Sequence, residues 1–137
     1  MKNKKILVVD GQGGGIGKAI IEKIKKESLP ITIIATGTNS IASTAMLKAG
    51  ADDVATGENA VIFNARNCDY ILGPVGIISA NSMLGEISPA MAEAIDSSPA
   101  TKLLIPVNKC NIYIAGVEDN GLSSKIEDLI AKLRDIT

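Results

Sequence analysis

The chain has 137 residues, 46% hydrophobic and 21% charged, with a formal net charge of -1. That length suits one domain with its own core, and the composition is globular and not disordered. The balanced charge excludes the basic excess a nucleic-acid partner requires, and the complete lack of histidine excludes an imidazole base or imidazole metal ligands.

The chain opens MKNKKILVVDG. The apolar run there is too short for a signal-peptide core and reads as a first strand, Lys5–Val9. No run approaches the ~20 apolar residues of a membrane span, so no membrane partner is expected. Helical periodicity follows over Ile16–Lys26, with apolar residues at 16, 20, 21 and 24 and charges between them. A second strand is predicted at Ile31–Thr36. A helix at Ile41–Ala49 starts from Asn39-Ser40 and stops at Gly50. A weaker strand near Val54–Thr56 and a short helix at Glu58–Asn64 come next. Asp69–Leu72 reads as a strand, Pro89–Ile95 as a helix capped by Ser88 with proline at its first position, and Leu103–Pro106 as a strand. Ile112–Val117 reads as a sixth strand, antiparallel because only a short turn precedes it, and Leu122–Asp135 as the last helix. Alternating strands and helices with nearly continuous apolar strands predict a single three-layer α/β/α Rossmann-like domain around a mostly parallel, doubly wound sheet. Cys68 and Cys110 form no CxxC pair, so both are expected to be buried small hydrophobes in a reduced, cytoplasmic protein. No metal site is expected.

The chemistry concentrates in residues 6–20, ILVVDGQGGGIGKAI. Glycine in such a place costs roughly 0.5–1 kcal/mol relative to alanine, so five glycines within seven positions require a reason. A helix N-terminus offers free N–H groups and partial positive charge, and glycine lets a phosphate reach that backbone. A P-loop fails here: its leading glycine would be Gln12 and its magnesium-binding hydroxyl Ala19. The GxGxxG spacing fails at Ile16. The spacing Gly11-x-x-x-Gly15-x-Gly17 fits a dinucleotide loop.

That GxxxGxG spacing resembles the short-chain dehydrogenase/reductase superfamily, with Asp10 in place of the usual threonine. Asp53-Val54-Ala55-Thr56 resembles the Asp-Val segment that touches adenine in that family, and Asp69-Tyr70-Ile71-Leu72-Gly73-Pro74-Val75-Gly76-Ile77 resembles its segment after the fourth strand, with Gly73-Pro74 replacing Asn-Asn. The resemblance covers roughly residues 5–80 and implies the nucleotide-binding half. It does not carry the reaction, because the Tyr-x-x-x-Lys pair is missing: Pro74 stands four residues after Tyr70 and Val117 four after Tyr113. Over its whole length the chain also resembles a family of short bacterial proteins, mostly from anaerobic Firmicutes, described as domain of unknown function 3842. The stretches DGQGGGIGKAI, ATGTNSIA, TGENA, GPVGII, ANSMLGEI and IPVNKCNI carry that likeness.

The expected ligand is therefore NADP or NAD, held by Asp10, Gly11, Gln12, Gly13, Gly14, Gly15, Ile16 and Gly17. Further contacts are expected at the later strand ends, from Thr36, Gly37, Thr38, Asn39, Asn59, Gly73, Pro74, Gly76, Asn81 and Asn108. No carboxylate follows the second strand to accept ribose hydroxyls, which favours NADP over NAD. Asp10, Lys18, Glu58, Glu86 and Lys109 are the ionisable groups near that edge, and no pair among them has a spacing that defines acid–base roles. Three readings stand: a nucleotide-binding sensor or accessory module, a small enzyme acting on a nucleotide or phosphorylated metabolite, and a structural module whose glycines permit close packing. A homo-oligomer, as a dimer, is expected from the apolar stretch around Ile77, Ile78, Met83 and Leu84.

Overall fold

The computed structural model describes residues 3–107 and 112–137. The first strand, β1 (Lys4–Asp10), is buried on both faces, with Ile6 and Val8 packed to one side and Leu7 and Val9 to the other. Each of those four is fully buried, and each such side chain contributes roughly 1.5–3 kcal/mol. Helix α1 (Gly15–Lys26) follows, presenting Gly17, Ile20, Ile21 and Ile24 to the sheet. The chain then builds outward through β2 (Ile31–Gly37), α2 (Ser40–Ala49) and β3 (Asp53–Thr56). Helix α3 (Glu58–Ala65) carries it back across the sheet to β4 (Tyr70–Pro74), beside β1 on the other side. A single 3-10 turn (Val75–Ile78), α4 (Pro89–Ser97), β5 (Thr101–Ile105) and α5 (Gly121–Ile136) complete the order.

The sheet order is β3-β2-β1-β4-β5 and every neighbouring pair is parallel. One core layer joins α1, α2 and α5 to the sheet through Ile20, Met46 and Leu129; the other joins α3 and α4 through Val61 and Ile95. This is the expected three-layer α/β/α Rossmann-like arrangement. Strand order reverses between β1 and β4, and a crevice opens there beyond the carboxyl ends of the strands. The glycine loop lies at that crevice.

The sheet differs from expectation in one strand. Among the described residues it has five strands, and residues 112–117 form none. Gly116 takes φ +85 and turns the chain, and Tyr113 is 85% exposed. The run is apolar, but it is broken before it can pair along β5. The second strand ends where predicted to within one residue, and Asn39 caps α2 by accepting the Ala42 N–H at 2.9 Å. Cys68 packs half-buried beside the second core layer, where burial pushes its thiol up to about 11; Cys110 lies outside the described residues.

Candidate functional site

Asp10 closes β1 and is 4% exposed. Its carboxylate accepts the Gly11 N–H at 2.8 Å and, from the first turn of α1, the Gly17 N–H at 2.7 Å. The loop is thus tied across its base by one side chain. Burial raises the Asp10 pKa above the ordinary aspartate value; the amides of Gly17, Gly11 and Ile16 pull the other way, and the Glu86 charge adds to the rise.

The glycines divide into two groups. At Gly11 an added Cβ would lie 2.6 Å from Thr38 Oγ1, and at Gly17 it would lie 2.6 Å from Met46 Sδ. Gly14 takes φ +74, and its Cβ would meet Ala42 Cα at 2.8 Å. Packing and backbone geometry alone account for these three. Gly13 and Gly15 differ: a Cβ at either would meet nothing within 4 Å, and neither has a positive φ. Among the described residues their N–H groups have no hydrogen-bond acceptor. The Gly14 N–H is used within the loop, by Gly11 O at 2.9 Å. The unpartnered amides are therefore fewer than the glycine run suggests and are those of Gly13 and Gly15.

Those residues line a cleft of about 690 Å³, within the ordinary size of small-molecule sites. Its other walls are Pro74 from the end of β4, Met83 and Leu84 from the following loop, and Val107 and Leu122. No lysine or arginine lines it among the described residues.

The loop tip is pinned by a carboxylate from far along the chain. Glu86 Oε1 accepts the Gln12 N–H at 2.8 Å, the Thr38 hydroxyl at 2.5 Å and the Asn39 Nδ2–H at 2.9 Å. Asn39 Nδ2 also donates to Gln12 O at 3.0 Å. Led by the Gln12 amide and the Thr38 hydroxyl, these donors hold the Glu86 carboxyl below the ordinary glutamate range. A depressed folded-state pKa gives stability that is complete above the ordinary glutamate value and is lost as pH falls through the depressed one. We expect Glu86→Gln to be less stable than the wild type at neutral pH, with the difference shrinking in acid. Urea melts at the two pH values measure it, and a difference unchanged in acid would show that the charge makes no net contribution.

The sequence-predicted residues separate accordingly. Gly11 to Ile16, Asp10 and Pro74 line the cleft. Thr38 and Asn39 stand at its β2 side, on Glu86. Gly17 serves the contact of α1 with α2, and Gly37 packs on Ser43. Thr36 is fully buried within β2, and its hydroxyl has no partner among the described residues. Gly73 sits inside the β4–β1 contact, where a Cβ would lie 2.4 Å from Val9 O. Gly76 is buried and accepts from Ser82 Oγ through its carbonyl. Asn59 is exposed in the first turn of α3, and Asn81 is an exposed turn residue bonded to Ile87 O. None of these last seven lines the cleft. Asn108 and Lys109 lie outside the described residues. Lys18 is exposed and faces a separate groove with Lys48, and Glu58 accepts from the Ser88 hydroxyl. Asp53, likened to an adenine contact, begins β3 opposite Ile34; Thr56, opposite Gly37, is at the loop edge instead. The apolar walls Met83, Leu84, Val107 and Leu122 are not among the residues expected to hold the ligand; Met83, Leu84 and Val107 fall in the stretches ANSMLGEI and IPVNKCNI that carry the family likeness.

The same frame occurs in solved structures. A probable oxidoreductase from Mycobacterium abscessus superposes with a TM-score of 0.52 at 19% identity, covering 97% of this chain and 42% of that one. AibC superposes with a TM-score of 0.53 at 14% identity, covering 94% of this chain and 41% of that one. The chain thus spans about two-fifths of the length of either, and the likeness is one of fold. No curated protein matches the sequence. No helix among the described residues is long and apolar enough to cross a membrane. Residues 5–137 match the model of a family described as Domain of unknown function (DUF3842), and the chain belongs to that family.

Proposed function

We propose that the chain binds a dinucleotide of the NAD(P) type across the β1–β4 crevice, as a sensor or accessory module without short-chain dehydrogenase chemistry. The observation that supports this is the pair Gly13 and Gly15. Both lack a side chain where the protein has room for one, both have an N–H without an acceptor among the described residues, and both line a cleft of about 690 Å³. A pyrophosphate lying on α1's N-terminus would accept from them.

The charge pattern narrows the ligand. Two carboxylates, Asp10 and Glu86, stand at the loop, and no described lysine or arginine lines the cleft to offset them. Those two carboxylates weigh against a triphosphate or a terminal phosphate dianion there. A pyrophosphate diester carries one charge on each phosphate and can be held by amides and the helix end alone. The remaining walls are apolar and suit flat rings. The Tyr-x-x-x-Lys pair is missing, and Tyr70 donates its hydroxyl to Ile136 O at 3.0 Å, away from the crevice. The reading also takes the protein as a cytoplasmic homodimer. Exposed apolar side chains such as Leu84, at 97%, support self-association.

A thermal-shift series with NAD, NADP, ATP, GTP, nucleotide sugars and S-adenosylmethionine tests the reading. At about 100 times its dissociation constant a ligand stabilises by about 2.7 kcal/mol, which raises the melting temperature by roughly 6–10 °C. We expect a shift of that size with a nicotinamide dinucleotide and little with ATP or GTP. Stabilisation by ATP alone would refute the dinucleotide assignment.

A further inference from the structure

In a Rossmann site the adenosine ribose lies beside the tip of the glycine loop and the end of β2, and a carboxylate at the end of β2 accepts its hydroxyls in NAD-binding proteins. Here that strand end reads Thr38-Asn39-Ser40 and has no acid of its own. The fold brings one from elsewhere. Glu86, in the loop between β4 and α4, sets its carboxylate between the loop tip at Gln12 and the end of β2 at Thr38 and Asn39.

We propose that Glu86, which does not line the cleft itself but accepts the N–H of the cleft residue Gln12, is the ribose-selecting residue, so that the chain takes a dinucleotide with a free ribose 2′,3′-diol and rejects one with a 2′-phosphate. This rests on the dinucleotide reading above and reverses the preference that the β2 end alone implies.

The division of labour within the carboxylate carries the argument. Oε1 takes all three donors, Gln12 N–H, Thr38 Oγ1–H and Asn39 Nδ2–H. These fix the group in place, and Asn39 is itself fixed by capping α2. Oε2 has no hydrogen-bond partner among the described residues. An immobilised carboxylate with one free oxygen is an acceptor for a vicinal diol, whose two hydroxyls donate. The same oxygen repels a phosphate, which brings acceptors and negative charge only.

The segment carrying Glu86 is built to hold a position. Asn81, Met83 and Leu84 take φ values of 67, 57 and 57, a region that bulky L-residues seldom enter. The Asn81 N–H to Ile87 O bond at 2.7 Å, the Gly85 N–H to Asn81 O bond at 3.1 Å and the Ser82 hydroxyl on Gly76 O hold that turn. Met83 and Leu84 thereby reach the cleft wall and Glu86 reaches the loop tip.

Isothermal titration of the full chain with NAD, NADP and 2′-deoxy-NAD tests the assignment. The wild type is expected to bind NAD at least about tenfold more tightly than NADP, and 2′-deoxy-NAD about fivefold or more weakly than NAD. In Glu86→Gln, which keeps an acceptor for the Gln12 amide, NAD weakens, NADP strengthens and the ratio falls toward one. A wild type that prefers NADP, or that binds NAD and 2′-deoxy-NAD alike, overturns the assignment while leaving dinucleotide binding in place. So does a Glu86→Gln protein that gains affinity for both cofactors equally, since Glu86 would then be only an occupant of the anion site. If the wild type binds none of the three, the dinucleotide reading falls and this one with it. The deoxy-ligand comparison uses the wild type alone and decides the matter even if Glu86→Gln fails to fold.

Discussion

Gly15→Val is expected to abolish dinucleotide binding while leaving the fold intact. A Cβ at Gly15 meets no protein atom within 4 Å, and the residue lies at the start of α1 with a φ open to any L-residue. Valine therefore costs the free protein little. It does fill the space above an N–H that has no acceptor among the described residues, on the floor of the cleft. The loss should reach about 100-fold in affinity, equivalent to about 2.7 kcal/mol, with a melting temperature close to the wild type. Gly13→Val is expected to act in the same direction. Gly14→Val and Gly17→Val are the contrasting controls. Their new side chains would press on Ala42 at 2.8 Å and Met46 at 2.6 Å, so both should lower stability before any ligand is added. If Gly15→Val binds like the wild type, the cradle is not used. If it unfolds, the glycine run is there for packing, and the chain is better regarded as a structural module.

Much of this division lay beyond the sequence. The spacing of Gly11, Gly15 and Gly17 marks the loop, but spacing alone does not distinguish a glycine that clears a neighbouring helix from one that clears a ligand. Gly17 is of the first kind, since its Cβ would meet Met46 Sδ, whereas at Gly15 the protein leaves the space open. Local signals performed well where the physics is local. Asn39 and Ser88 were legible as caps because a cap needs only the next turn of its own helix. The apolar run at 112–117 misled because strand formation also needs an edge to pair with, and Gly116 turns the chain instead. The Asp53–Thr56 likeness spans the whole of β3, so it does not say which of its residues reaches the loop edge; Thr56, opposite Gly37, does. Glu86 was visible as an ionisable residue near the edge, but its partners lie 74, 48 and 47 residues away along the chain. Nothing in ANSMLGEI foretells that its carboxylate sits against Thr38 and Asn39 at the end of β2.

Asp10→Ala is expected to be the most destabilising single change in the loop. It leaves the N–H groups of Gly11 and Gly17 without their acceptors, at a position that is 4% exposed. Each unsatisfied buried donor costs about 1–3 kcal/mol, and the relief of burying a carboxylate near Glu86 offsets part of that. The net loss in a urea melt should be about 2–4 kcal/mol. Asp10→Asn is not a rescue. Its single oxygen can serve one amide, and its NH2 group then faces the other, donor against donor. The pH dependence separates this residue from Glu86. Burial holds the folded-state pKa of Asp10 above its ordinary value, so its linked contribution is complete below that ordinary value and is lost as pH rises through the raised one. The penalty of Asp10→Ala should therefore grow in acid, where the penalty of Glu86→Gln shrinks. Two carboxylates on one loop with opposite pH slopes would locate the buried tie at its base and the exposed contact at its tip. Parallel slopes would mean that the two titrate as one group, and that Glu86 is not free to answer a ligand independently of the fold.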